Sequence, residues 1–127
     1  MNETTMPVLI GCAQLTEKCP PEEGRTPIQL MAEVATSAAA DAGPGDALLQ
    51  QLDTVAAVGL TVDSPESGSG MAGMIRNVPQ ALCTALAIDP AEKMYTNTGG
   101  NTPQMLVNHY AEKISTGKAS AVLLVGA

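Results

Sequence analysis

The sequence contains no Trp and no Phe, and only two Tyr, Tyr95 and Tyr110. Proteins that hold single-stranded nucleic acid stack the bases on aromatic side chains, so this composition argues against that class. Positive charge is scarce too: six Lys and Arg stand against 13 Asp and Glu, for a net charge of -7. With no basic patch, a phosphate backbone has nothing to neutralise it, which excludes duplex DNA or RNA as the expected partner. No apolar run approaches the ~18 residues that a membrane-spanning helix needs. The three cysteines, Cys12, Cys19 and Cys83, lack metal-ligand spacing, and an odd number without a secretory leader argues for reduced thiols. His109 is the only histidine, so no catalytic set that uses several histidines can be assembled. No two carboxylates show acid/base spacing; Glu22-Glu23 reads as a solvated loop pair.

What is present is aliphatic. Hydrophobic residues make up 45% of the 127, supplied mainly by Ala, Val, Leu, Ile and Met, which suits close helix-on-sheet packing in one domain or part of a larger one. Met1 to Thr5 is polar, carries Glu3 and lacks the basic start and apolar run of a leader. Together with the acidic balance, this predicts a cytoplasmic protein.

Periodicity divides the chain into alternating strands and helices. Pro7 to Ala13 is a continuous apolar run and reads as a buried strand. Thr26-Pro27-Ile28-Gln29 is a capping-box start with Pro at the first helical position, and the helix should run to Ala42 before Gly43-Pro44. Asp46 is read as the cap of a short helix ending at Leu52, and Thr54 to Leu60 as a second buried strand. Thr61 to Gly73 is rich in Ser and Gly and reads as a long loop. A helix over Asn77 to Ala87 leads to a strand over Lys93 to Thr96. The last helix, Pro103 to Thr116, carries an apolar stripe of Leu106, Val107, Tyr110, Ala111 and Ile114, with Asn108, His109, Glu112 and Lys113 opposite. Ala121 to Val125 is then a strand without polar alternation. Such a strand is normally covered on both faces, so either more chain of the same protein or a partner chain is expected to cover it. The pattern is α/β.

The most telling stretch is Thr96-Asn97-Thr98-Gly99-Gly100-Asn101-Thr102-Pro103-Gln104. It turns a strand into a helix, with Thr102 read as the N-cap and Pro103 as the first helical residue. A junction of this kind directs free backbone N–H groups toward an anion or a polarised carbonyl oxygen. Gly99, Gly100 and Asn101 are therefore the candidate substrate-binding residues, acting through the backbone. A tight turn that needs small residues is the plainer explanation of the same glycines.

With these elements placed, the chain resembles the N-terminal half of a thiolase-superfamily protein, in particular the thiolase-like acetyl-CoA acetyltransferases related to the sterol-carrier thiolases. The resemblance is carried by Pro7-Val8-Leu9-Ile10-Gly11-Cys12-Ala13-Gln14, Asp41-Ala42-Gly43, Leu52-Asp53-Thr54-Val55 and the stretch from Tyr95 to Gln104. Ile114-Ser115-Thr116-Gly117-Lys118 and Val122-Leu123-Leu124-Val125-Gly126-Ala127 complete it. It implies a layered αβαβα fold of two similar halves, of which residues 1–127 would supply the N-terminal one as a mixed sheet with helices on both faces. It further implies a homodimer, a role in lipid metabolism and a coenzyme A thioester as substrate or ligand, with no permanently bound cofactor. In such proteins a Cys at the start of the helix corresponding to Pro103–Thr116 takes the acyl group, and the acid/base residues come from the C-terminal half. Counting back from Gly117, the nucleophile position falls on Gly100. A glycine forms no acyl-enzyme, so no catalytic residue is assigned and this chain alone is expected to be inactive. Two classes of function follow: the N-terminal portion of an acyltransferase, or a non-catalytic protein of the same fold that binds a CoA ester or lipid or supports a partner.

The remaining cysteines offer no substitute. Cys83 falls in a helix beside Leu82 and Cys12 in a presumed buried strand, where thiols are inert. Cys19 lies in a loop with Glu17, Glu22 and Glu23, surroundings that disfavour a thiolate. His109 and the neighbouring Glu112 and Lys113 are expected on the solvated face of the last helix, and Met71 and Met74 as core filler.

Overall fold

A computed structural model describes residues 5–61 and 77–127. The greater part of the expected loop from Thr61 to Gly73, and Met71 and Met74 with it, lies outside the described residues.

Helices alternate with strands as the periodicity required. Helix α1 spans Pro27–Asp41 and opens on the expected capping box: the Gln29 N–H donates to the Thr26 hydroxyl at 3.3 Å, and the Thr26 N–H donates to the Gln29 side chain at 2.8 Å. The helix ends at Gly43, whose φ of +108° lies in the left-handed region that glycine enters without a Cβ penalty. The short α2 spans Asp46–Gln50, but its N-cap is Gly45. Asp46 sits inside the first turn, where a carboxylate still complements the helix dipole. Strand β1 is Thr54–Ala57, shorter than the apolar run that announced it. Helix α3, Val78–Leu86, is capped by the Asn77 side chain, which accepts from the Gln80 N–H at 3.2 Å. Strand β2 is Glu92–Tyr95, helix α4 is Thr102–Ser115 and strand β3 is Val122–Val125.

The three strands form a sheet in the order β2-β1-β3, and both pairings are parallel. Thr54 aligns with Glu92 on one side and with Val122 on the other. Asp53, just before β1, ties the three together at their N-terminal ends. Its carbonyl accepts from the Glu92 N–H at 3.0 Å, its N–H donates to the Ala121 carbonyl at 3.0 Å, and its carboxylate accepts from the Ser120 N–H at 2.5 Å.

Alternation along β1 sends side chains to two cores. Val55 and Ala57 pack with Met31 and Ala39 of α1 and with Val78, Leu82 and Cys83 of α3. Ala56 faces the other way, against Leu106 and Tyr110 of α4. All four residues of β1 are buried, as a strand covered on both faces must be. Cys83 is fully buried, and desolvation raises its thiol pKa, in keeping with an inert structural cysteine.

Two expectations fail at the ends of the chain. Pro7 to Ala13 forms no strand; it runs beside α1 without a ladder partner, and Leu9 is 85% exposed. Its anchor is Gly11, where an added Cβ would lie 2.9 Å from the Ala42 Cβ and closer still to the Ala38 carbonyl oxygen. Beside it the Cys12 N–H donates to Asp41 Oδ2 at 2.9 Å. Cys12 is consequently exposed rather than buried. β3 is likewise an edge strand among the described residues, not an interior one.

The closest approach between strand and loop is at Gly59. A Cβ there would lie 2.7 Å from Asn97 C and from Thr98 N, and nearer still to the Thr96 carbonyl oxygen. Gly59→Ala must therefore push the loop after β2 away from β1, at a cost of about 1–3 kcal/mol. Urea unfolding of the variant should show a lowered midpoint; an unchanged midpoint would refute the contact.

Candidate functional site at the start of helix α4

The polypeptide leaves β2 at Tyr95 and enters α4 at Thr102. Because the strands are parallel, this loop lies at their common C-terminal edge, the side where open α/β sheets place ligands. Three hydroxyls bind the loop to the end of β1. The Gly59 N–H donates to Thr96 Oγ1 at 3.1 Å. Thr98 Oγ1 donates to the carbonyls of Gly59 and Leu60 at 3.2 and 3.1 Å. The Leu60 N–H donates to the Tyr95 hydroxyl oxygen at 2.9 Å. Sequence reading missed these roles of Gly59, Thr96 and Thr98; the only signal was the clustering of Thr and Gly near two strand ends.

The start of α4 differs by one residue from the expectation. Its N-cap is Asn101, with helix-like φ and ψ of -91° and -7° and no side-chain cap bond, and Thr102 is the first helical residue. Thr102 is buried, and its hydroxyl turns back to the Asn97 carbonyl at 3.4 Å. It therefore closes the loop instead of capping the helix. The Thr102 N–H donates to the Gly99 carbonyl at 3.2 Å. The N–H groups of Gly100 and Asn101 have no protein partner among the described residues. They stand at the positive end of a 14-residue helix.

Gly99, Gly100 and Asn101 form the turn before α4, and the two glycines are unequal. A Cβ on Gly99 would lie 2.9 Å from Thr102 Oγ1, whereas a Cβ on Gly100 would meet nothing within 4 Å. Gly100 and Asn101 are exposed. The arrangement can donate hydrogen bonds from its backbone N–H groups to a carbonyl oxygen or an anion, and it offers no nucleophile. Cys12, Cys19 and Cys83 all belong to other parts of the chain.

A second feature lies to one side. An apolar cavity of about 720 Å³ is bounded by residues 7–9 and 11–15 on one flank and 122–127 on the other, with α1 and α4 as its remaining walls. Gly99, Gly100 and Asn101 do not line it. Val107, Ala111 and Ile114 of the expected α4 stripe face this space rather than a filled core, which is why Val107 is 49% exposed.

At the opposite end of β2, α4 is pinned by charge. Glu92 accepts from the Tyr110 hydroxyl at 2.9 Å and from Lys113 Nζ at 3.0 and 2.8 Å. Lys113 also lies over the Tyr110 ring at 5.4 Å from its centroid, and His109 meets that ring edge-on. Lys113 therefore serves as a packing and pairing residue, not as part of a purely solvated face. The Lys113 hydrogen bond, with that from Tyr110, holds the Glu92 carboxyl below its ordinary value. Burial, then the bond to Glu92, raises the Tyr110 phenol. Among the described residues no group of three or more His, Cys, Asp or Glu side chains gathers in a way that could hold a metal ion, and no helix is long and apolar enough to cross a membrane.

No protein-family model matches the chain, and no curated protein matches it. A solved structure described as a monomeric SCP2-thiolase-like protein type 1 from Mycobacterium smegmatis is similar over 99% of this chain, at 28% sequence identity and a TM-score of 0.78. The match occupies 24% of that protein, so the chain spans about a quarter of its length. The fold is thiolase-like: the parallel sheet and its helices are similar to part of that SCP2-thiolase-like protein.

The Glu92 pin should be visible in acid. Because the folded carboxyl titrates below its ordinary value of 4.5, its stabilisation is complete above that pH and is lost as pH falls through the lowered folded value. For a partly exposed pair the contribution is about 1 kcal/mol or less. The stability difference between the native chain and Glu92→Gln, taken from urea unfolding, should shrink as pH drops from 7 to 3. A constant difference would show that the charge contributes nothing.

Proposed function

We propose that this chain is a carbonyl-binding portion of a thiolase-like protein, which holds an acyl-CoA thioester at the start of α4 without capturing the acyl group. The observation that carries the reading is Gly100. It stands exposed in the turn just before the N-cap of α4, its own N–H unpaired, has open space where a side chain would project, and supplies no thiol. The thioester oxygen accepts hydrogen bonds from the Gly100 and Asn101 N–H groups, and the helix dipole favours the partial negative charge on that oxygen. Without a sulfur at this position the carbonyl is polarised but no bond to the protein forms.

Two further parts of this reading come from the family resemblance. The first is a place in lipid metabolism, with a coenzyme A ester as the ligand. The second is a homodimer; the M. smegmatis protein is described as monomeric, so sedimentation of this chain decides between the two arrangements. The acyltransferase reading is favoured over pure binding only if acid/base residues from other polypeptide complete the site.

Calorimetry of the chain with acetyl-CoA should show binding, and acetoacetyl-CoA incubated with coenzyme A should not be cleaved; thiolysis by this chain would refute the non-covalent reading. Gly100→Cys should fold, since the position is sterically open, and should place its thiol at a helix N-terminus, which lowers thiol pKa. Incubated with acetyl-CoA, the variant should carry an acetyl group on the peptide containing residue 100, as read by mass spectrometry. A folded variant without that adduct would overturn the placement of the thioester.

A further inference from the structure

We draw no further inference here: the strongest candidate, the outer edge of β2 at the rim of the sheet, pairs with no strand among the described residues, and nothing in the structure shows what covers it.

Discussion

The candidate site depends on the absence of a side chain at Gly59. Backbone atoms of Thr96 to Thr98 lie where a Cβ would be, so the exit of β2 rests directly on the end of β1. That approach brings Thr96 Oγ1 and Thr98 Oγ1 within hydrogen-bonding range of the backbone at Gly59 and Leu60. The hydroxyls then hold the loop that delivers Gly99, Gly100 and Asn101 to the start of α4. Any residue larger than glycine would displace this loop, and with it the direction of the free N–H groups. The placement of the two free N–H groups, on which the proposed carbonyl contact would depend, is thus set one strand away from them.

The other end of α4 supplies the opposing constraint. Tyr110 is fully packed against Ala56, and its hydroxyl finds the one carboxylate, Glu92, that also holds Lys113. A buried phenol without a partner would be costly, so this bond fixes the rotation of the helix as well as its position. Helix α4 is therefore clamped by hydroxyl bonds of the preceding loop at its start and by an ion pair toward its end. Its middle is less supported, because Val107 and Ile114 look onto the cavity instead of a packed layer. The same gap explains the imbalance of the two cores. The side of the sheet under α1 and α3 buries a broad cluster, while the side under α4 buries only Ala56, Leu106 and Tyr110 completely.

Most of the architecture was legible because it is written in local signals. Thr26-Pro27 and Gln29 specify a helix start by themselves, and Gly43 and Gly117 end helices through positive φ. Strands were legible as apolar runs, but their ends were not, since pairing and not hydropathy decides where a ladder stops. That is why Thr54 to Leu60 yields a strand of only four residues. Pro7 to Ala13 was misread for the same reason: its composition is that of an interior strand, and no strand among the described residues pairs with it. The cap of α4 was missed by one residue because Thr102 satisfies a loop carbonyl rather than the helix. Gly59 carried little local signal beyond its place near a strand end, since its role is a contact across 37 residues of sequence. The junction from Thr96 to Gln104 was read from its own glycines and Thr-Pro pair as a source of free N–H groups, and the Gly100 and Asn101 N–H groups have no partner among the described residues.

The three glycines around the site separate two kinds of requirement. At Gly59 the fold demands glycine, because backbone fills the place of a side chain. At Gly99 a side chain would press on Thr102 Oγ1 and Asn101 Oδ1, groups that a modest shift can move. At Gly100 neither space nor backbone angle demands it: the position is open, and its φ is not among the left-handed ones. A steric account therefore covers the first glycine and part of the second but leaves the third unexplained. What Gly100 changes is chemistry. The turn keeps its free N–H groups at the start of a 14-residue helix and carries no side chain that could attack, and under the proposed reading it is left to hold a carbonyl oxygen without bonding to it.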